Sequence, residues 1–206
     1  YVKSNIEKID KESYKQFIAQ TQNQFSSFGI FSTGLNFYIT KDQLGAFEKR
    51  MQKENYPYFK VRPEGDRDIY TPVTFLEPFN DSNKIAIGFD TYSNPIRKQA
   101  QDWAIETGKI TFTKKITLVQ NNVVDAQNSV LIFAPIFKKG VAIDTLEARK
   151  KAIQGFISSP LIIKNLMQDV LANEDISSDQ GFSIQLYDSD NASTNQILYS
   201  NTTTSK

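Results

Sequence analysis

Six carboxylates gather in the middle of the chain, at Glu64, Asp66, Asp68, Glu77, Asp90 and Asp102. Two acids facing each other across a cleft, with their pKa values pushed apart, could hydrolyse a glycosidic bond. Spacing alone puts no two of them in one cleft, and most acids in a chain of balanced charge are solvated. Asp188, Asp190 and Asn191 share part of a calcium loop, but the glycine of its sharp turn and its closing glutamate are missing. Asn80-Asp-Ser82, Asn191-Ala-Ser193 and Asn201-Thr-Thr203 fit glycosylation triplets, a pattern common by chance.

Other chemistries are closed off by what the chain lacks. It has no histidine, hence neither the usual general base near neutral pH nor the commonest transition-metal ligand. It has no cysteine, which excludes thiol nucleophiles, zinc–thiolate clusters and disulfides. No nucleophile elbow, P-loop or dinucleotide fingerprint occurs. Lys and Arg total 24 against 23 Asp and Glu, with no basic block, so a nucleic-acid partner is not expected. No cofactor is expected either.

Asp90 is the acid that stands apart. It follows the apolar run Ile85–Phe89 and precedes a helix that starts near Pro95. A carboxylate close to a helix N-terminus is kept ionised by N–H dipoles and could accept hydrogen bonds from a ligand. Capping the turn between Tyr92 and Pro95 is the competing role, and position alone favours it.

The elements that must position these residues can be read in outline. Apolar residues from Val2 to Phe28 recur at helical spacing without proline, which predicts one long amphipathic helix or two in succession. Thr40-Lys-Asp-Gln43 has the form of a capping box for a helix through Leu44, Phe47 and Met51. Phe59–Val61, Tyr70–Leu76 and Lys84–Phe89 read as strands between turn-rich segments. Ser93-Asn94-Pro95 opens a helix that should bury Ile96, Ala100, Trp103 and Ala104 and stop at Gly108. Ile110–Phe112, Ile116–Gln120 and Val130–Phe137 follow as strands, with a polar loop at Asn121–Asn128. Leu146–Ile153 reads as a helix and Gly155–Ser158 as a strand. Ser159-Pro160 should cap a helix that turns Ile162, Ile163, Leu166 and Val170 inward. Phe182, Ile184 and Leu186 alternate as in a half-buried strand, and Gln196–Tyr199 reads as the last one. The run Val130–Phe137 is too short to cross a bilayer.

Along this outline a series of marks recurs in order: Tyr56-Pro57, Phe59-Lys60-Val61, Tyr70-Thr71-Pro72-Val73, Glu77-Pro78, Gly88-Phe89-Asp90, Pro95-Ile96-Arg97, Thr107-Gly108 and Ala134-Pro135. In that order and spacing the chain resembles the CHASE domain, an extracytoplasmic input module of histidine kinases, nucleotide cyclases and diguanylate cyclases. The resemblance implies an α+β fold with three parts. Residues 1–55 would form an N-terminal helical stalk and connecting helix, 56–143 a membrane-distal PAS-like ligand-binding unit, and 144–206 a smaller membrane-proximal PAS-like unit. It further implies a periplasmic or extracellular location and membrane attachment through flanking transmembrane helices outside this chain. The receptor would be a homodimer.

In the plant cytokinin receptors of this family, the acid matching Asp90 hydrogen-bonds an adenine-type ligand, and a backbone matching Phe112 faces it. A third polar contact there falls in the loop where this chain has Asn122. Tyr70 and Phe133 would be pocket walls or plain core. The stretch Phe89–Pro95 resembles bacterial members more than plant ones, and keeping the acid does not by itself keep the ligand; an adenine-like small molecule is what the plant resemblance implies. The chain is thus expected to be a non-enzymatic small-molecule sensor. A hydrolase with paired carboxylates and a ligand-free transmission module are the alternatives.

Overall fold

The computed structural model describes residues 8–25, 30, 32–54, 56–119, 128–173, 183–189 and 196–202. Its first helix, α1 (Lys11–Phe25), is set by a reciprocal cap. Asp10 Oδ1 accepts the Ser13 N–H at 2.8 Å, and Ser13 Oγ accepts the Asp10 N–H at 3.1 Å. The Ser13 N–H also holds the Asp10 carboxyl below its usual range. This helix begins at Lys11 because its free N–H groups find their acceptor at Asp10. At 15 residues it is about 22 Å long. Tyr14 and Ile18 are buried, and the Tyr14 hydroxyl donates to the Thr33 carbonyl at 2.9 Å, so this helix covers the domain's own sheet. Residues 1–7 and 26–29 lie outside the described residues.

The sheet starts with β1 (Thr33–Phe37). A two-residue ladder then joins β2 (Ile39–Thr40) to β3 (Ile69–Tyr70), with a short 3-10 turn and α2 (Leu44–Glu54) between them. As its capping sequence predicts, Gln43 Oε1 accepts the Thr40 N–H at 3.0 Å. α2 turns Phe47 and Met51 into the core. Phe59 and Val61 are buried but lie in irregular chain, since only Arg62 bridges a neighbour, Phe89.

β4 (Val73–Glu77) follows after a break at Thr71-Pro72. The expected strand Lys84–Phe89 is instead the single turn α3 (Asp81–Lys84), whose cap Asn80 accepts the Asn83 N–H, followed by further turns. Gly88 has a φ of +80°, and a Cβ there would sit 2.3 Å from the Lys60 carbonyl oxygen. Glycine alone fits that close approach in a left-handed backbone.

α4 (Pro95–Thr107) has the expected ends: Asn94 Oδ1 accepts the N–H groups of Ile96 and Arg97, and Gly108 closes it at φ +68°. Its buried face differs from the expected one. Arg97, Ala100, Gln101, Ala104 and Ile105 face inward, while Trp103 is 60% exposed and Ile96 lies at the surface. The helix is rotated by about one residue because the neighbouring layer offers acceptors to Arg97 and Gln101.

β5 (Thr111–Phe112) and β6 (Ser129–Phe137) pair antiparallel. In the stretch expected as a strand from Ile116, only the bridge Ile116–Ser129 forms. After α5 (Leu146–Ala152) comes the largest correction. The short strand expected at Gly155–Ser158 is β7 (Ile153–Ile162), ten residues long and central to the sheet. Ser159 and Pro160 lie inside it and cap nothing. The helix after it, α6 (Ile163–Asn173), leaves Val170 exposed.

The five strands stand in the order β4-β1-β7-β6-β5, antiparallel throughout. β7 pairs with β1 on one side and β6 on the other, so one sheet runs through the boundary expected between residues 143 and 144. One face packs on α1 and α2 through Leu35, Phe37 and Phe75. The other carries Leu131, Phe133 and Phe156 against Ala100, Ala104 and Ile105 of α4. Finally β8 (Gln185–Tyr187) and β9 (Ile197–Ser200) form a hairpin. Leu198 of the hairpin joins Val130, Leu161 and Ile163 in a separate small core. Phe182 lies outside the described residues. Among the described residues, no helix is long and apolar enough to cross a membrane.

Candidate functional site

Asp90 sits where β4, the chain from Arg62 and the start of α4 converge, and its side chain has no solvent exposure. Oδ1 accepts the N–H groups of Thr71 at 2.7 Å and Tyr92 at 3.0 Å. Oδ2 accepts Arg67 Nε–H at 2.9 Å. Burial pushes the Asp90 carboxyl up, and the N–H groups of Thr71 and Tyr92 with the charge of Arg67 pull against it. The carboxylate thus caps the 3-10 turn Thr91–Ser93 and ties three chain segments together. Arg67 completes the knot, donating to the Pro63 carbonyl at 2.7 Å and lying 4.8 Å above the Tyr70 ring.

From Asp90 a buried polar network leads across the sheet. The Thr71 and Thr91 hydroxyls are 2.8 Å apart, and Asn36 Nδ2 donates to Thr91 Oγ1 at 3.3 Å. Ser158 Oγ donates to Asn36 Oδ1 at 2.6 Å, joining residues 122 positions apart. Gln101 Nε2 of α4 donates to the same Thr91 oxygen at 3.0 Å.

On the far side of this network, between the sheet and α4, lies a cavity of about 40 Å³. Leu76, Leu131, Ser158 and Pro160 supply its sheet side, and Phe89, Thr91 and Leu118 close it. Gly34 stands opposite both Ser158 and Leu76, where a Cβ would come within 3.0 Å of the Ser158 hydroxyl and 3.3 Å of a Leu76 methyl. Ser32 and Arg97 also line the cavity. Ser32 Oγ is buried without a hydrogen-bond partner, and so is Arg97 Nε. Arg97 Nη2 donates to the Thr117 carbonyl at 3.0 Å, and the guanidinium lies 5.0 Å from the Phe89 ring.

The residues expected at the site are spread out. Phe112 is 59% exposed on β5, at the sheet edge. Tyr70 is core, its hydroxyl bonded to the Arg67 N–H and the Gly65 carbonyl. Phe133 is core too, edge-on to Phe156 with ring centres 5.8 Å apart. Asn122 lies outside the described residues. None of the other four lines the cavity, although Thr91, next to Asp90, does. Sequence reading passed over Ser32, Thr91, Arg97 and Ser158. For Arg97 a signal was present: it belongs to the ordered mark Pro95-Ile96-Arg97, on the helix that abuts Asp90.

The carboxylates do not gather. Asp66 pairs with Lys41, Asp81 with Lys84 and Asp102 with Lys98, all at the surface. Among the described residues, no group of acids could hold a metal ion.

The layout is one antiparallel sheet covered by helices on both faces, with a small cavity lined by the sheet, Phe89 and Arg97 of α4. The family model described as the CHASE domain matches residues 7–199, and the chain belongs to that family of sensory domains of signalling receptors. A comparison with curated proteins gives no match.

Proposed function

We propose that the chain is the extracytoplasmic small-molecule sensing domain of a transmembrane receptor, of histidine kinase or diguanylate cyclase type, and that its ligand enters the cavity between the sheet and α4. The observation that carries this reading is the CHASE family match over residues 7–199, in a fold whose sheet, Phe89 and Arg97 of α4 line a small cavity.

On this reading the larger PAS-like unit holds the five-stranded sheet and extends to Ile162. The smaller unit holds α6 and the β8–β9 hairpin. Asp90 acts through its bonds to Thr71 and Tyr92, fixing the position of Thr91 in the cavity wall. Signalling requires the ligand to favour one arrangement of the N-terminal helix and smaller unit over another. Two receptor copies in the membrane would carry that change. A hydrolytic reading is less well supported, since Asp90 is engaged by Arg67 and Glu48, the other buried acid among the described residues, by the Val61 N–H at 2.8 Å.

Thermal unfolding against a panel of adenine derivatives, amino acids and organic acids tests the reading. A ligand at a hundred times its dissociation constant should add about 2.7 kcal/mol. A panel in which nothing shifts the transition would favour a ligand-free transmission module.

A further inference from the structure

At the end of the sheet where β7 begins, a cleft of about 550 Å³ opens between β1, α2 and α5. Phe37, Ile39, Phe47 and Ile153, all nearly buried, form its apolar floor. Its rim is cationic. Arg50 comes from α2, Lys138 from the chain just after β6, and Lys150 and Lys151 from the last turn of α5. Among the described residues, no Asp or Glu lines the cleft.

Tertiary contacts bring these cations to one place. The Lys138 N–H donates to the Ala152 carbonyl at 2.7 Å, which sets Lys138 beside the end of α5. The Tyr38 N–H donates to the Gln154 carbonyl at 2.9 Å and ties the end of β1 to the same corner. α2 docks there through Phe47, whose ring centre is 5.5 Å from that of Phe37. The Arg50 guanidinium then lies 5.3 Å from the Phe37 ring and 5.6 Å from the Phe47 ring.

The charges are short of partners. Lys138, Lys150 and Lys151 are exposed, and among the described residues no carboxylate comes within ion-pair distance of them. That includes Glu147, one turn before Lys151 on the same helix. Arg50 meets only Glu54, 3.8 Å from its Nε and without a hydrogen bond, and its side chain keeps 29% of its surface exposed. Lysines at a helix C-terminus complement its dipole, which accounts for Lys150 and Lys151. It accounts for neither Lys138 nor Arg50. Four cations from three segments around one cleft repel one another, and an anion of more than one charge offsets that repulsion.

The surroundings narrow the kind of anion. A guanidinium fork beside several ammonium groups suits carboxylate or phosphate oxygens. Gln43 Oε1 is held by the Thr40 N–H at 3.0 Å, which fixes a further amide on the rim. The volume falls within the roughly 300–1,000 Å³ of small-molecule sites, far more than an inorganic ion fills, and the apolar floor suits a carbon body.

We propose that this cleft binds a small organic anion carrying two or more negative charges, a polycarboxylate or a phosphate monoester, with Arg50, Lys138, Lys150 and Lys151 as its charge partners. The cleft shares no residue with the cavity beside α4, and its role does not rest on the sensor reading.

The experiment is calorimetric titration and thermal unfolding of the whole chain with citrate, tricarballylate and glucose 6-phosphate. Acetate, inorganic phosphate and glucose are the comparisons, all at matched ionic strength. At least one of the three organic polyanions should bind, more tightly than any comparison, and raise the transition. Citrate against glucose 6-phosphate tells carboxylate from phosphate recognition. Affinity should fall as salt rises. Lys138→Gln, Lys150→Gln and Lys151→Gln should each weaken binding by about two- to fivefold, the range of an exposed ion pair. Arg50→Gln should weaken it by about tenfold or more, as loss of a charge-assisted hydrogen bond does. The three lysine variants keep the test readable should Arg50→Gln fail to fold. Lys49→Gln and Lys139→Gln remove charges outside the cleft and should leave affinity within about twofold. Equal losses in these two would mean general surface attraction and overturn the proposal. So would affinity unchanged in the cleft variants, binding no tighter than that of acetate or inorganic phosphate, or no shift with any of the three polyanions. None of these outcomes touches the sensor reading, whose cavity lies beside α4.

Discussion

Arg67 Nε donates to Asp90 Oδ2 at 2.9 Å, across 23 positions of chain, and the carboxylate it meets is wholly buried. This pair anchors the chain between Arg62 and Thr71 to the turn that precedes α4. Asp90→Ala should strip acceptors from two backbone N–H groups and from the guanidinium, costing about 3–5 kcal/mol in urea unfolding. Asp90→Asn keeps one oxygen for Thr71 and Tyr92 and should cost distinctly less. A loss below about 1 kcal/mol in Asp90→Ala would mean the knot contributes little. Binding lost in that variant would accordingly report on structure as much as on contact.

Gly88 and Gly140 share a left-handed backbone, at φ +80° and +76°, but differ in surroundings. A Cβ added at Gly140 would meet nothing within 4 Å, whereas one at Gly88 would stand 2.3 Å from the Lys60 carbonyl oxygen. Gly140→Ala should cost only the conformational penalty, about 1–2 kcal/mol. Gly88→Ala should cost well over that, because backbone must move and the Arg62 N–H bond to the Gly88 carbonyl, at 2.9 Å, is strained with it. Equal losses in denaturant would show that the approach of Lys60 yields freely.

Trp103 is the chain's single tryptophan and is 60% exposed, while Ala104 beside it is completely buried. Its fluorescence should therefore be readily quenched by iodide in the folded protein. Trp103→Ala should change stability by under about 0.5 kcal/mol. Ala104→Leu should cost about 1–3 kcal/mol by overpacking α4 against Phe133 and Phe156. A shielded indole would return α4 to the orientation its apolar spacing suggests.

Asp188 Oδ2 accepts the Lys115 N–H at 2.7 Å, tying the end of β8 to the chain after β5. Asp188→Ala should cost about 1 kcal/mol. Hydrogen exchange should locate the loss in the β8–β9 hairpin and leave β6 and β7 protected. Faster exchange throughout the large sheet would show the hairpin and the sheet unfolding as one.

What the sequence determined by itself was local or was carried by order. The caps of α2 and α4 were legible because their donors and acceptors lie within four residues, as in Asn94 with Ile96 and Arg97. The ordered marks from Tyr56 to Pro135 determined the family in the same way, without reference to pairing. The tertiary structure decided what distant neighbours decide. β7 became the centre of the sheet because β1 and β6 supply its hydrogen bonds from both sides. The run before Gly88 failed as a strand because its N–H groups bond locally, Ala86 to the Asn83 carbonyl, Ile87 to that of Lys84 and Phe89 to that of Ala86. Apolar spacing on α4 pointed to Ile96 and Trp103, but Thr117 and Thr91 offered bonds to Arg97 and Gln101, and these turned inward instead. A cation enters a core only where acceptors already wait. No pattern within one helix records where those acceptors, from residues ten and twenty positions away, will come to lie.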